Sequence, residues 1–393
     1  MKRFIYKSVF LFLFAISISS VVAESAKEPV YFAGLSFAGD YKDMQSAAPF
    51  AAKLIGNDEE LLQFNMQLVG ELEKLDWGDY ELKNEKADIK SGDGLTISLS
   101  IIEEQYQEED TGTGEYAISG AVYGQIVVFD FNQKRVISTI PFATNYLHTS
   151  KEVSKDTRNE IYRTIYFDKT KGINLINEFT RKFPDINFSK PFNRWNIKVR
   201  DVKPFKRVKK TVQLNDGNLE HLKTRVANQF STELSNKFKI PILPYSSGGQ
   251  ALGSMSLCFS DTKVLQLTLP RPNFYIDIKI LGLDKEILKE TKKRIFISYI
   301  SAVKVTVGHV NFEEEYFSEM AQTGLVHEVS KTLNINDWNE LKNSLTLLTD
   351  QYTAQLHTPN KKFLKLNMFS KSSLSSFKKK VKNLEKEVFS KLR

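Results

Sequence analysis

Apolar residues recur along the chain with two different periods. Alternation with a period of two predicts half-buried strands, and apolar residues three and four positions apart predict helices that bury one face. In the amino-terminal half, this pattern predicts strands over residues 29–37, 95–102, 116–131 and 135–147 and helices over residues 58–75 and 172–183. In the carboxy-terminal half, it predicts strands over residues 195–202, 264–269, 274–281 and 294–310 and helices over residues 218–238 and 337–356.

The two halves share one order of elements. We therefore predict an α+β fold with two domains of similar element order, each a mainly antiparallel sheet packed with helices, followed by a basic amphipathic helix at the carboxy terminus. The boundaries place an acidic domain at residues 24–186, a basic domain at residues 187–360 and a basic helical tail at residues 361–393. Two interpretations stay open: the second domain is a divergent repeat of the first, or the domains are unrelated.

Two glycines interrupt the most β-rich segment of the first half. Gly120 and Gly124 lie within the run GAVYGQIVVFD, which ends at Asp130. Glycine inside a strand marks a bulge or a close approach of another chain segment. With its partner strand and the order strand, helix, strands, helix, this hairpin resembles small envelope α/β domains such as the amino-terminal domain of TolB and the accessory proteins of curli secretion. The resemblance covers part of one domain.

The amino terminus has the pattern of a secretory signal peptide. Basic residues precede the apolar run VFLFLFAISI, and Val-Val-Ala at residues 21–23 fits the small-residue cleavage rule. We expect cleavage after Ala23; the alternative is an uncleaved membrane anchor, for which the apolar run is short. Because Glu24 rather than cysteine follows, we expect no lipid anchor there.

Composition narrows the class of protein. The chain is 41% hydrophobic and 26% charged, as in an ordinary globular protein and unlike collagen or a disordered tail. Its only cysteine is Cys258, so no disulfide can form within the chain. Export without disulfides favours a periplasmic or secreted bacterial protein, with no transmembrane helix in the mature chain.

Charge is divided unevenly. Residues 24–186 carry a net charge of −11, residues 187–360 one of +7 and residues 361–393 one of +9. One basic cluster runs from Lys190 to Lys210, and we expect it to bind a partner through Lys198, Arg200, Lys203, Lys206, Arg207, Lys209 and Lys210. Export argues against nucleic acid, which leaves an envelope protein or an anionic surface of lipid, lipopolysaccharide or peptidoglycan. A solvated linker is the alternative.

The tail is the second basic cluster. Apolar residues from Leu374 to Val388 follow helical spacing, and the stripe continues to Leu392. Three interpretations stay open: the helix packs back on the protein, lies on an anionic membrane or pairs with another helix. The candidate contact residues are Lys378, Lys379, Lys380, Lys382 and Lys386.

Candidate catalytic chemistry is sparse. His309, Glu313 and Glu315 share one face at strand spacing and form the nearest approach to a metal site, although an exposed, charged edge segment is the ordinary interpretation. Residues 103–115 hold six acids and are expected to form a solvated loop. The glycine-rich segment Ser246–Ser254 lacks the features of a nucleophile elbow or a phosphate loop. We predict no cofactor.

The sequence therefore favours an exported, non-catalytic binding or assembly protein that contacts a protein or an envelope surface. One alternative is a periplasmic hydrolase, which a deep polar cleft with converging ionisable groups would favour. Another is a solute-binding protein that holds its ligand between the two halves.

Overall fold

The computed structural model describes most of the chain after the predicted signal peptide. The described residues are 27–39, 41–83, 94–111, 113–186, 188, 195–215, 217–245, 254–259, 264–312, 314–331, 335–368 and 374–392. The predicted signal peptide and most of the segment Ser246–Ser254 lie outside them. Within the described ranges, no helix has the length and apolar character needed to cross a membrane.

The first half builds a sheet with helices over one face. Its strands are β1 (Glu28–Ala38), β2 (Tyr80–Lys83), β3 (Leu95–Asp110), β4 (Tyr116–Asp130) and β5 (Arg135–Ser150). Its helices are α1 (Tyr41–Ala47), α2 (Pro49–Ile55), α3 (Asp58–Leu72), α4 (Lys155–Phe167) and α5 (Leu175–Lys182). Because successive strand residues point to opposite faces, the alternating residues Leu95 to Ile101 all join the core beneath these helices.

The second half adds a second sheet and further helices. Its strands are β6 (Ile197–Pro204), β7 (Ser254–Cys258), β8 (Val264–Thr268), β9 (Phe274–Glu290), β10 (Arg294–His309) and β11 (Glu315–Ser330). Its helices are α6 (Lys206–Leu214), α7 (Leu219–Phe238), α8 (Asp337–His357), α9 (Lys361–Asn367) and α10 (Leu374–Leu384), which continues to Leu392 through a π-helical turn. The α+β prediction is confirmed, although some strand pairs are parallel.

Both halves use one strand topology. In the first, β1 lies parallel to β3, and β4 and β5 follow in antiparallel order. In the second, β6 lies parallel to β9, and β10 and β11 follow in the same way. The first strand of each half also contains one bulged residue. In β1 this residue is Ala33, which follows the third residue pair with β3, and in β6 it is Arg200, which follows the third residue pair with β9. The duplication itself stays a prediction.

A hairpin from the second half completes the sheet of the first. Strand β7 pairs with the end of β1, and β8 meets β5 at Arg135 and Thr268, so the sheet closes on itself. This hairpin buries a small core against the face of β4 and β5 opposite the helices; its members are Val127, Phe129, Val136, Met255, Leu257, Leu267 and Leu269. The two halves therefore interlock, so the division at residue 187 does not separate two independent sheets.

Helix α7 connects the two sheets. Asn218 caps its first turn by accepting hydrogen bonds from the backbone amides of Glu220 and His221 at 2.9 and 3.1 Å. Its apolar residues, such as Phe230 and Leu234, belong to the core of the second sheet together with α8, while α7 also contacts β5 of the first sheet. The two halves therefore pack against each other. The first turns of α7 and α8 lie beside the carboxy-terminal part of β3.

Two parts of the sequence interpretation are wrong. The acidic run from Glu103 to Asp110 is not a loop, because β3 continues as a strand through Asp110. The sequence also predicted no strand over β11, which pairs with β10 along its length. In both β3 and β11 acidic residues occupy inward positions, which breaks the apolar alternation that identifies a strand.

Candidate functional site

Three cavities adjoin one another between the two halves. They have volumes of about 300, 380 and 290 Å³ and follow β3 from Ile102 to Asp110. We call the first the central cleft, and its charged and aromatic lining includes Glu103, Arg158, His221, Arg225, Trp338 and Lys342. Charged and polar side chains line most of this cleft, so it is not an apolar pocket.

A bulge decides which acid faces this cleft. Ile102 is an extra residue in β3, since Ile101 pairs with Gly124 and Glu103 with Tyr123, the next residue of β4. An extra residue shifts the alternation of side chains that follow it. Glu104 consequently points toward α2, and Glu103 points to the opposite side, where α7 and α8 begin.

Glu104 is held by backbone groups. Its two carboxylate oxygens accept hydrogen bonds from the amides of Phe50 and Ala51, both at 2.8 Å, at the first turn of α2. The hydroxyl of Tyr166 donates a third, at 2.6 Å. Burial raises the pKa of the Glu104 carboxyl, and these donors oppose that shift. This acid ties β3 to α2 and α4, so its role is structural.

The Glu103 carboxylate accepts fewer hydrogen bonds than that of Glu104. One carboxylate oxygen accepts a hydrogen bond from the Gln105 side chain at 3.1 Å. The other, Oε2, is inaccessible to solvent and has no hydrogen-bond partner among the described residues. Burial raises the pKa of this carboxyl, and the charge of Arg225 opposes the rise. A buried carboxylate oxygen without a partner is an acceptor available to a ligand.

Two cations enter the cleft from neighbouring helices. Arg225 lies on α7 and Lys342 on α8, and both side chains are half-buried. Burial, followed by repulsion from Arg225, lowers the pKa of Lys342 to about 8. Within the described ranges, no carboxylate lies within 4.0 Å of either cation; Arg225 has only a long contact of 3.4 Å to the Thr346 hydroxyl.

Aromatic rings flank the charged groups. The Lys342 ammonium lies 5.7 Å from the centre of the Trp338 ring, and the Arg158 guanidinium lies 5.4 Å from that of Tyr106. Rings in these positions offer flat apolar surface beside the cations. The cleft therefore combines cations, one unsatisfied acid and two aromatic walls, which suits recognition of a small polar molecule.

The basic cluster at 198–210 divides into paired and unpaired cations. Arg200 binds Asp277 and stacks over Tyr275, Lys203 pairs with Asp201 at 2.9 Å, and Arg207 lies 3.8 Å from Asp284. Burial lowers the pKa of Lys198. The remaining three cations are exposed on α6, and no ion pair is found for them in the described part of the chain: Lys206, Lys209 and Lys210.

A row of lysines on the second sheet escaped the sequence analysis. Lys203 of β6 pairs in register with Lys279 of β9, which pairs with Lys304 of β10. Their neighbours in sequence, such as Ile278 and Val303, face the helices, so the row lies on the opposite, outer face. Only the register could reveal it, because the three residues are far apart in sequence.

The tail packs on the protein. Phe377 contacts Phe317 of β11 with ring centres 5.9 Å apart, and Val388 and Leu392 are buried in the core of the second sheet. Lys380 pairs with Glu319 of the same strand. Lys378, Lys379, Lys382 and Lys386 remain exposed, and Lys386 pairs with Glu387 at 3.0 Å. The apolar stripe is thus used inside the molecule, as the first of the three interpretations holds.

The proposed metal ligands do not form a described site. His309 is buried among Trp195, Phe274 and Phe312, and its Nδ1 accepts a hydrogen bond from the Asn311 amide at 3.1 Å. Glu313 lies outside the described residues, and Glu315 is exposed. The residues that the structure covers contain no group of three potential ligands.

Comparison with known proteins gives only distant likenesses. No family model and no curated protein matches the chain. Solved structures similar to it include a Xanthomonas campestris protein of family DUF330, with 10% identity and a TM-score of 0.25 over 44% of this chain and 90% of that one. A hypothetical protein from Chlamydia trachomatis has 13% identity and a TM-score of 0.21 over 40% and 91%. A Helicobacter pylori protein described as a homolog of the neuraminyllactose-binding hemagglutinin has 16% identity and a TM-score of 0.20 over 40% and 92%. Likenesses at this level carry no functional assignment.

Proposed function

We propose that this chain is an exported, non-catalytic binding protein that docks on an anionic lipid surface through its second half. The observation that carries the proposal is the lysine row formed by Lys203, Lys279 and Lys304 on the outer face of the second sheet. Like charges directly opposite one another on neighbouring strands repel, and a bound anion would lessen this repulsion. Within the protein, Lys203 is paired with Asp201 at 2.9 Å.

Helix α6 extends the same charge. It begins directly after β6 and lies along β9, where Arg207 and Thr211 donate hydrogen bonds to the backbone carbonyls of Leu281 and Leu283. Its first turn carries no acidic residue and no side-chain cap, so the positive end of its dipole adds to the lysines. Val208 and Val212 anchor this helix in the core of the second sheet, and its lysines are exposed. We propose that these lysines and the row act together in docking, and we call them the α6 surface.

Exposed apolar residues favour a lipid surface over an acidic protein. Phe205 and Leu214 stand at the two ends of α6 with exposures of 50% and 74%, and Met320, opposite Lys304, is 38% exposed. Lysines flanked by exposed phenylalanine and leucine are typical of helices that lie in a membrane interface. Each lysine near an anionic bilayer contributes about 1 kcal/mol.

Vesicle sedimentation tests the proposal with two variants of equal charge change. Lys206→Gln, Lys209→Gln and Lys210→Gln are combined in one chain, and Lys378→Gln, Lys379→Gln and Lys382→Gln in the control. We expect the parent chain to pellet with phosphatidylglycerol-containing vesicles at low salt and not with pure phosphatidylcholine. The α6 variant should lose at least tenfold in partitioning, and the tail variant should lose less than twofold. Equal losses, or no binding by the parent chain, would refute docking through the α6 surface.

A further inference from the structure

We propose that the central cleft binds a small zwitterion of dipeptide size, with its carboxylate between Arg225 and Lys342 and its ammonium on Glu103. This site is separate from the α6 surface and does not depend on lipid docking. The argument rests on three charged groups that α7, α8 and β3 bring together without mutual ion pairs.

A bound anion would stabilise the two cations of the cleft, Arg225 and Lys342. Arg225 and Lys342 are half-buried on adjoining helices and have no carboxylate within 4.0 Å in the described part of the chain. Burial, and after it repulsion from Arg225, lowers the pKa of Lys342 to about 8. A ligand carboxylate between them would relieve this repulsion, and guanidinium groups bind carboxylates through paired hydrogen bonds.

Glu103 selects against a purely anionic ligand. Its Oε2 atom is shielded from solvent and accepts no hydrogen bond, and the carboxyl lines the same cleft as the two cations. A phosphate or a dicarboxylate would place further negative charge beside it, whereas a zwitterion satisfies both signs at once. An ammonium is therefore the donor that the site fits best.

The size and walls of the cleft fit a short peptide. Its volume of about 300 Å³ lies at the low end of ligand sites and is sufficient for a dipeptide. Trp338 and Tyr106 supply apolar surface for its side chains, and Gln105 and Asn218 supply polar groups for its peptide bond.

Calorimetric titration of the full chain tests the proposal with defined probes. Alanyl-alanine, alanyl-phenylalanine and alanyl-glutamate form the panel, and the N-acetyl and carboxamide forms of each serve as controls. We expect at least one dipeptide to bind with a Kd below 1 mM. Acetylation or amidation should weaken that binding at least tenfold. If no dipeptide binds with a Kd below 10 mM, or if the acetylated form binds equally well, the proposal is wrong.

Variants separate binding from folding. Lys342→Met removes a desolvated cation, so it should raise the melting temperature and yet weaken dipeptide binding at least tenfold. Glu103→Gln should reduce the preference for the free amine over its acetylated form. Lys223→Gln on α7, the helix that carries Arg225, is the control, because Lys223 pairs with Glu220 at 2.7 Å and does not line the cleft. Unchanged affinity in Lys342→Met would overturn the assignment. Vesicle binding should be unaffected in all three, so the two proposals fail independently.

Discussion

The ring of Phe389 in the tail packs against that of Phe238 at the end of α7, with centres 4.2 Å apart and ring planes inclined by 41°. Both residues are buried in the core of the second sheet. The basic helix at the carboxy terminus is therefore part of the folded body, and deleting it would expose that core. Point variants, rather than truncation, are the appropriate way to examine its lysines.

Substituting Phe389 by alanine should destabilise the protein strongly. Removing a buried phenylalanine side chain costs about 3–5 kcal/mol, through lost transfer free energy and the cavity left behind. Urea denaturation monitored by circular dichroism measures this loss. Leu366→Ala, at a position that is 62% exposed, should change the free energy of unfolding by less than about 0.5 kcal/mol. A similar small effect at Phe389 would mean that the tail is detached in solution.

Glu104→Ala should destabilise the first half. The substitution leaves the amides of Phe50 and Ala51 and the hydroxyl of Tyr166 without their acceptor. Each buried group left unpaired costs about 1–3 kcal/mol, so we expect a total loss of about 3 kcal/mol in the free energy of unfolding. Glu104→Gln should cost less, because its amide oxygen retains one acceptor without a buried charge. The exposed Glu152→Ala serves as the control in the same denaturation experiment, and equal effects at Glu104 and Glu152 would contradict the network.

Sequence reasoning located the elements whose apolar residues enter one core at regular spacing. Strand β3 up to Ile101 and helix α8 have regular apolar spacing because each covers a single core. Strand β11 was missed because Glu319 and Thr323 occupy inward positions, where Glu319 meets Lys380 and Thr323 meets Gln351. Such pairs are visible only after the tail and α8 are in place.

The candidate site was harder to predict from the sequence than the fold. Glu103, Arg225 and Lys342 come from three elements of two halves, and each looks like an ordinary surface charge in its own segment. Glu103 faces the cleft only because Ile102 bulges from β3. The exchange of the hairpin β7–β8 into the first sheet likewise depends on packing between halves. Periodicity reports the local environment of a segment, and it carries no information on which segments meet.

The glycines of β4 allow close packing, and one of them can be tested against a helical glycine. A Cβ atom at Gly124 would lie 2.8 Å from the backbone oxygen of Ser100 and 2.5 Å from the Phe142 ring. Gly70 in α3 has nothing within 4 Å of the same position. Gly124→Ala should therefore cost about 2 kcal/mol through overpacking. Gly70→Ala should stabilise by up to about 1 kcal/mol, because alanine restricts the unfolded chain. Thermal melts of both variants check these opposite signs, and a stabilising Gly124→Ala would show that β4 lies further from β3.

Lys182 is a buried cation that weakens the fold. Its side chain is fully buried, its Nζ donates no hydrogen bond to any described residue, and the nearest carboxylate among these residues, Asp185, is 4.0 Å away. Burial lowers the pKa of Lys182 to about 8. Replacing a buried charge by an apolar side chain of similar length is commonly stabilising, so Lys182→Met should raise the free energy of unfolding by about 1–3 kcal/mol at pH 7. The exposed Lys171→Met should leave it unchanged.

The stability gain in Lys182→Met should depend on pH. Between about pH 8 and the pKa of an unfolded lysine near 10.5, the unfolded chain keeps the Lys182 proton and the folded chain loses it. Because the unfolded state then binds more protons, the stability of the parent chain rises with pH across this window. The difference between the variant and the parent should accordingly be largest below pH 8 and shrink toward pH 10.5. Denaturant midpoints of both chains at matched pH values measure the difference. The titration of tyrosines affects both chains alike, so it does not contribute to that difference. A constant difference from pH 7 to pH 10.5 would show that Lys182 reaches solvent in the folded protein.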